Sequence, residues 1–244
     1  MVSTMDSSSE GMKSSGKHVS GMELKYQGRK TSRANSEQRR RTILEAALRI
    51  VVRDGVRGVR HRAVAKEANV PLSATTYYFK DITDLITDTF TLFVEMGAQK
   101  FKAYWEESDS MLKIAMKELV PSDKASRQIF ADRISDLAIE YVLIQLKEHR
   151  DYLIAERAFQ QECLRNENLR PIAFSHQKFF LDSLETFFSK IGSNHPDIDA
   201  ELFGSIILHV EYQGLIAGFE DERTADRLRV MLKRQIELML GIYN

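Results

Sequence analysis

The chain has 244 residues, 43% of them hydrophobic, and its 35 basic and 35 acidic side chains give a formal net charge of zero. It is long enough for one small domain joined to a larger one with a substantial core. Because it has no run of 18 apolar residues, no signal-peptide pattern and a single cysteine, Cys163, we expect a soluble cytoplasmic protein without disulfides, membrane contact or a multi-cysteine metal site.

The charges are divided unevenly along the chain. Residues 25–80 hold 14 basic against four acidic side chains, whereas residues 81–244 hold 19 basic against 28 acidic ones. A basic block on an acidic body is typical of a nucleic-acid-binding head, because cations near a duplex release its condensed counterions. A solvated, highly charged surface is the alternative that charge alone leaves open.

Residues 1–35 are rich in Ser, Gly, Lys and Met and lack the periodicity of a helix or strand, which predicts a flexible basic tail. The stretch from Lys25 to Arg41 is basic enough to lie along phosphates or in a minor groove. An N-terminal extension that does not touch DNA is the alternative.

Two helices are predicted next. From Ser36, a favourable N-cap, apolar residues recur at helical spacing up to Val52, and Gly55 provides a stop. Residues 59–68 then predict a shorter second helix. Asn69 follows it, and asparagine tolerates the left-handed backbone conformation that a tight turn requires.

The stretch 69–79, NVPLSATTYYF, contains residues that prefer strands, yet we predict a helix here. A strand would have no partner, because helices precede it and a long amphipathic run, 81–105, follows it. A helix from about Pro71, where the missing N–H costs little, to about Phe79 suits both neighbours. The side chains expected to face inward are Val70, Ala74, Thr75 and Phe79, and those expected to face outward are Leu72, Ser73, Thr76 and Tyr77.

Three helices in close succession, the second and third joined by a tight turn, are typical of a helix-turn-helix whose third helix enters the major groove of DNA. We therefore assign residues 36–80 to a DNA-binding domain.

Residues 81–244 predict further helices and no strand. Two stretches, 174–188 and 202–219, are apolar over more of their circumference than a surface helix needs. Such stretches are suited to an interface between two subunits. The alternative is that one of them is the central helix of the core. The second stretch also contains four small residues that let helices approach closely, namely Gly204, Ser205, Gly214 and Gly218.

Five short motifs follow one another at a specific order and spacing within residues 37–85: Ile43-Leu44-x-x-Ala47, Gly55, Val64-Ala65-x-x-Ala68-Asn69-Val70, Tyr77-Tyr78-Phe79 and Asp84-Leu85. In this order and spacing, the region resembles the N-terminal DNA-binding domain of the TetR (tetracycline-repressor) family of bacterial regulators. In three places the chain departs from the family pattern: Asn69 replaces a glycine, Thr76 a tyrosine, and Ile82 a lysine that usually meets a phosphate, a contact that nearby Lys80 is placed to supply.

The resemblance implies a base contact from the basic residue early in the second helix, which is Arg62 here. A guanidinium can bridge both major-groove acceptors of guanine, so Arg62 is our predicted base reader. The full set of predicted DNA-binding residues is Arg60, Arg62, Leu72, Ser73, Thr76, Tyr77, Tyr78 and Lys80.

The resemblance also implies a homodimer joined through two helices per subunit, and a small-molecule cavity within residues 81–244. The expected fold is therefore all-α, with an N-terminal three-helix helix-turn-helix DNA-binding domain and a larger helical ligand-binding and dimerisation domain. The residues predicted to line the cavity are Phe93, Met96, Phe101, Tyr104, Trp105, Tyr141, Gln145, Phe159, His176 and Gln213. For each of them, ordinary packing in the core is the alternative.

No motif argues for catalysis, and we expect neither a metal nor a cofactor. His209-Val-Glu211 matches a fragment of zinc deaminases but lacks their downstream cysteines. The predicted function is a dimeric repressor that binds a palindromic double-stranded operator and is released by an unknown small molecule. The alternatives are a ligand-independent regulator whose C-terminal domain only dimerises or binds a protein partner and, more remotely, an all-helical enzyme.

Overall fold

The computed structural model describes residues 18–19, 22–23, 25–29, 34–217 and 222–242. No helix in these ranges is long and apolar enough to cross a membrane. The elements are β1 (His18–Val19), β2 (Met22–Glu23), α1 (Ala34–Asp54), α2 (His61–Glu67), α3 (Leu72–Tyr78), α4 (Ile82–Glu118), α5 (Lys124–Glu148), α6 (Arg150–Cys163), α7 (Arg170–Lys190), α8 (Pro196–Ala217) and α9 (Glu222–Met239).

The prediction of an all-α fold is confirmed, since every regular element of the described chain from Ala34 onwards is a helix. The two-residue strands β1 and β2 form a small antiparallel pair ahead of α1. They fall in the segment predicted as a tail, and the remainder of residues 1–24 and 30–33 lies outside the described residues.

The turn between α2 and α3 has the conformation that its asparagine allows. Asn69 has φ of 52°, in the left-handed region. The amide of Val70 donates to the carbonyl of Ala65 at 3.0 Å, which closes the turn and directs α3 away from α2. Pro71 then occupies the N-cap of α3.

The stretch with strand-forming residues is a helix, as predicted. Thr75, fully buried, donates its hydroxyl to the carbonyl of Leu72 at 2.9 Å, so the helix itself satisfies the polar group that burial would otherwise leave unpaired. Tertiary packing of Thr75 and Phe79 thus outweighs the strand propensity of the segment.

Helices α1, α2 and α3 form the head of the molecule, and the helices from α5 onwards form its body. Helix α4 joins the two. Asp81 caps it by accepting the amide of Asp84 at 2.9 Å. The helix has 37 residues and continues past Trp105, where the predicted run stopped, to Glu118. Its end is close to Pro121, which disfavours helical geometry in the preceding residue.

One apolar cluster extends from the head into the body. It contains the buried residues of α1, Phe79 and the first half of α4, and it continues to Phe159 on α6. The rings of Phe90 and Phe159 are stacked with centroids 4.4 Å apart. The packing beneath the head is therefore continuous with that of the body.

The second core lies mainly among α5, α7, α8 and α9, and it includes Leu112 and Ala115 of α4 and Leu153 of α6. Gly204 permits close packing of α8 on α7, because an added Cβ would lie 3.2 Å from the ring of Phe180. At Gly214 an added Cβ would lie 2.5 Å from Leu146 of α5. These two glycines of the predicted interface helix therefore serve packing within the chain, while Gly218 lies outside the described residues.

Candidate nucleic-acid interface and ligand cavity

One face of α3 is open to solvent. Leu72 and Tyr77 are 41% and 52% exposed, and Ser73 and Thr76 lie beside them, also exposed. The inward face is formed by Thr75 and Phe79, both fully buried, with Ala74 and Val70 partly covered. The structure therefore presents outward the four side chains that the helical spacing assigned there.

Tyr78 does not belong to that face. It is 5% exposed, and its hydroxyl lies 2.9 Å from that of Ser36 on α1. Three residues after Thr75, it points to the same inward side of the helix. Its inclusion among the DNA-facing side chains was wrong, and only Tyr77, packed edge-on against it at 5.0 Å, remains exposed.

Three predicted basic contacts lie around α2 and α3. Arg60 occupies the N-cap of α2, Arg62 is the second residue of that helix, and Lys80 follows α3. All three are exposed, and none forms an ion pair with an acidic side chain within the described ranges. Other arginines of the head do: Arg49 and Arg53 both bind Glu67, at 2.9 and 3.1 Å. The uncompensated positive charge thus lies near the exposed face of α3.

Residues 25–29, which we call the strap, are fastened across the head. The amides of Gln27 and Gly28 donate to the two carboxylate oxygens of Asp88 on α4, at 2.5 and 2.9 Å. The Tyr26 hydroxyl donates to Glu95, two turns further along α4, at 2.5 Å. A side chain at Gly28 would not fit, since a Cβ there would lie 2.8 Å from Asp88 Oδ2 and 2.9 Å from the carbonyl of Tyr78.

The strap also reaches α3. The amide of Arg29 donates to the carbonyl of Tyr78 at 2.8 Å, and its guanidinium lies 4.3 Å from the centroid of the exposed Tyr77 ring. Arg29 was absent from the predicted DNA-binding set. The only sequence signal for it was the basic composition of residues 25–41, which does not tell one arginine from another.

Asp88 is fully buried where the strap, α1 and α4 meet. Arg40 of α1 donates to it from Nη1 at 3.2 Å. Burial raises the pKa of Asp88 from 3.8 to about 6, against the opposing effect of its hydrogen bonds to Gln27 and Gly28.

A cavity of about 370 Å³ lies in the body between α4 and α8. Five of the predicted pocket residues line it: Phe93, Phe101, Tyr141, Gln145 and His176. Two others, Tyr104 and Trp105, line an adjoining apolar pocket of about 80 Å³, which shares Phe101 and Tyr141 with the larger cavity.

The remaining three predicted pocket residues lie elsewhere. Phe159 is fully buried in the core that α4 and α6 share, and Met96 packs against the same core. Gln213 borders a separate depression between α8 and α9, beside Arg223 and Arg227. Met96 and Phe159 therefore serve ordinary core packing, which was the alternative to cavity lining. Helical spacing alone does not distinguish these two roles.

The prediction missed six polar lining residues: Lys100, Tyr152, Glu156, Gln160, Gln177 and Glu211. Polar residues in a helical sequence usually indicate positions that face solvent. Glu156 lies in a segment rich in charges, so the sequence gave no sign that its side chain is buried. Glu211 did stand out as the one charged side chain between Glu201 and Glu220 in an otherwise apolar helix. A lone acid in an apolar helix indicates a buried functional carboxyl group as readily as it indicates the zinc-deaminase fragment His209-Val-Glu211.

The two glutamates are close enough to influence each other. Glu211 is 4% and Glu156 9% exposed, and burial raises the pKa of both. Arg157 Nη2 lies 3.7 Å from Glu211 Oε2. His176 Nδ1 lies 3.9 Å from Glu156 Oε1, but burial lowers the pKa of His176 to about 4, so this ring is neutral at pH 7.

The aromatic side chains of the cavity connect it to the head. Phe93 stacks on Tyr152 with ring centroids 4.3 Å apart and also packs on Phe90 at 5.9 Å. Phe90 belongs to the apolar cluster beneath the helix-turn-helix. Gly97 makes room for Tyr152, since a Cβ there would collide with the tyrosine hydroxyl.

Comparison with known proteins defines the class of fold. No family model matches the chain. Among curated proteins, 88 residues are 31% identical to the HTH-type transcriptional regulator PksA of Bacillus subtilis, and the match spans 36% of this chain and 38% of the length of PksA.

Solved structures match over most of the chain. A TetR-family member from Streptomyces coelicolor has a TM-score of 0.57 and 22% identity, covering 81% of this chain and 98% of that one. A transcriptional regulator from Saccharomonospora viridis in complex with choline has a TM-score of 0.60 and 19% identity, covering 82% and 96%. The chain has the fold of the TetR-family transcriptional regulators, and the predicted resemblance is confirmed at that level.

Proposed function

We propose that the protein is a TetR-type DNA-binding transcriptional regulator, a homodimer that represses from a palindromic operator and is released by a small molecule. The observation that carries this proposal is the placement of α4. One continuous helix forms the floor of the helix-turn-helix at Leu85 and the wall of the cavity at Phe93 and Phe101.

DNA binding is supported by the chemistry of the exposed face. Hydroxyl and aromatic side chains on α3 suit the donor and acceptor groups of the major groove, and unpaired Arg60, Arg62 and Lys80 beside them suit base edges and phosphates. We add Arg29 to this set, because its stacking on Tyr77 holds its charge at the same surface.

Dimerisation is supported by an exposed stripe on α8. Successive members of the stripe are four, three, four, three and four residues apart, which is the heptad spacing of a helix that packs on another. Ile216 is 65% exposed, Ile198 is 50% exposed, and Leu202 and Tyr212 are each 49% exposed. The stripe consists of Ile198, Leu202, Ser205, His209, Tyr212 and Ile216.

Ligand control is supported by the cavity and by its aromatic connection to the head. A molecule that displaces Tyr152 also displaces Phe93, which stacks on it, and with it α4. Such a ligand releases DNA only if it binds more tightly to the conformation with separated recognition helices. The choline complex of the Saccharomonospora viridis regulator supports a small-molecule site within this fold.

Selection of binding sites from a random duplex library with the full-length protein tests this function. We expect enrichment of an inverted repeat whose half-sites are about one helical turn apart, with affinity that falls steeply as salt increases. A folded, dimeric protein that enriches no sequence, before and after refolding from denaturant to remove bound ligand, would contradict the proposal.

A further inference from the structure

The polar lining of the cavity includes two buried acidic side chains. Glu156 from α6 and Glu211 from α8 both line the cavity, and within the described residues neither carboxylate accepts a hydrogen bond. Two buried carboxyl groups without donors carry a large desolvation cost, which natural structures rarely retain without a partner.

The charged groups nearby compensate this pair only in part. Arg157 is shared: besides its 3.7 Å approach to Glu211, it donates to the carbonyl of Leu208 and to Gln160, each at 2.9 Å. His176 is neutral, as described above. Lys100 also lines the cavity but lies 3.3 Å from His149 Nδ1 and over the ring of Tyr152.

The rest of the lining is aromatic. The faces of aromatic rings carry partial negative charge and attract cations, most strongly when water is excluded. Within the described residues no group of three or more metal-ligating side chains exists, so the arrangement does not suit a bare metal ion. The rings in question are Phe93, Phe101, Tyr141, Tyr152, Phe179 and Phe180.

We propose that the effector is an organic cation with aromatic or branched alkyl substituents, whose charged centre lies against Glu156 and Glu211. A cation offers the ionised forms of both carboxyl groups a counter-charge that neither an anion nor a neutral molecule supplies. This assignment rests on the small-molecule control proposed above, but it is tested on the protein without DNA.

Calorimetric titration with matched probes tests the charge preference. Tetraphenylphosphonium and tetraphenylborate have nearly the same size and opposite charge, and benzyltrimethylammonium and neopentylbenzene form a smaller cationic and neutral pair. We expect each cation to bind at least about tenfold more tightly than its partner. Trp105, the single tryptophan, borders the adjoining pocket and gives an independent fluorescence signal.

Isosteric variants assign the preference to the two acids. Glu156→Gln and Glu211→Gln are expected to weaken cation binding about tenfold each and to leave tetraphenylborate binding unchanged or stronger. Glu140→Gln removes the same charge from an exposed position of α5 outside the cavity and is expected to have no effect. Because burial disfavours the ionised carboxylates, the unfolding temperature of each glutamine variant should be at least as high as that of the wild type. A variant that loses cation binding at an unchanged unfolding temperature has lost the site and not the fold.

Proton release provides a further signature. Since burial raises the pKa of both glutamates, a bound cation favours their ionised forms and should expel protons at pH 7. Cation affinity should therefore increase from pH 6 to 8.5, and Glu156→Gln should weaken that dependence. The other titratable groups around the pair are Lys100 on α4, Tyr141 on α5, Tyr152 and Arg157 on α6, and His176 on α7.

Each outcome is decisive. Equal affinity for cations and their partners, or binding of neither cation, would overturn the assignment of the ligand class. Preserved cation preference in a protein that enriches no DNA sequence would instead overturn the regulator and leave the cation site standing.

Discussion

Arg62 and Lys80 are both exposed and unpaired within the described chain, but they are expected to act differently. Arg62, the second residue of α2, is our predicted guanine contact, so Arg62→Ala should weaken operator binding by about 1–3 kcal/mol and relax the preference at one base position. Lys80→Ala should weaken binding to all duplexes alike and flatten the salt dependence by about one unit of slope.

Fluorescence anisotropy at several salt concentrations, with the operator and single-base variants of it, measures both effects. Lys66→Ala serves as the charge control, because Lys66 is exposed at the other end of α2. If Arg62→Ala retained full discrimination among bases, the base contact would have to come from another residue.

Asp88 should give the protein a characteristic pH dependence. Its pKa is about 6 in the folded protein against about 3.8 unfolded. Between these values the folded state keeps a proton that the unfolded state has released, so the contribution of Asp88 to stability is greatest below pH 4 and declines by about 2–3 kcal/mol as the pH rises to 6. Arg40, Tyr26, Asp84 and Glu95 are the ionisable neighbours.

Urea denaturation of the wild type and of Asp88→Asn from pH 4 to 7 isolates this contribution. The variant lacks the titrating group, so its free energy of unfolding should decline less over that range. Parallel curves would show that Asp88 has the same pKa in the folded and unfolded states. His176 contributes in the opposite sense, since its lowered pKa makes stability rise between about pH 4 and 6.5 in both proteins.

The strap connects three elements, because it binds α4 at Asp88 and Glu95 and the end of α3 at Tyr78. Gly28→Ala should lift it from Asp88, because the added Cβ meets a carboxylate oxygen and a backbone carbonyl. Losing hydrogen bonds to a buried carboxylate costs about 1.5–3 kcal/mol, and hydrogen exchange should accelerate at the end of α3.

Gln27→Ala is the matched control for the strap. It removes an exposed side chain and retains the backbone amide that Asp88 accepts, so it should leave both stability and exchange unchanged. Similar exchange in Gly28→Ala and the wild type would mean that the strap lies on the head without holding it.

The elements of the head followed from sequence because their signals are local. Gly55, Asn69 and Pro71 mark the boundaries of helices by backbone preference alone, and the turn at Asn69 has the predicted conformation. The prediction of Ser36 as the N-cap was wrong, because α1 begins at Ala34 and includes Ser36. Tyr78 was misplaced because a seven-residue helix leaves its outer and inner faces separated by single positions, where residue type gives no guidance.

The cavity and the strap depended on long-range contacts that no local pattern contains. Aromatic residues such as Phe93 and Phe101 marked the region, but helical spacing predicts core and cavity lining equally. Glu156 and Asp88 are buried only because distant segments cover them, which a sequence of alternating polar and apolar residues does not reveal.

At the scale of the whole molecule, operator recognition requires two heads held at a fixed separation. The stripe on α8 is the surface that we expect to fix it, because its heptad spacing lets two copies pack on each other. Leu202→Glu combined with Ile216→Glu places charges in that contact. We expect a monomer by sedimentation analysis and operator affinity reduced at least about a hundredfold, since each head then binds without the effective concentration supplied by its partner.

Gln213→Glu adds charge to the same helix about 100° away from Tyr212 of the stripe and should remain dimeric. The monomeric variant should still bind tetraphenylphosphonium, because the cavity is lined within one chain by Glu156 and Glu211. A double variant that stays dimeric would move the subunit contact to another surface. A dimer lost together with cation binding would mean that the α8 faces are coupled, since Glu211 lies on the helix whose outer side carries the stripe.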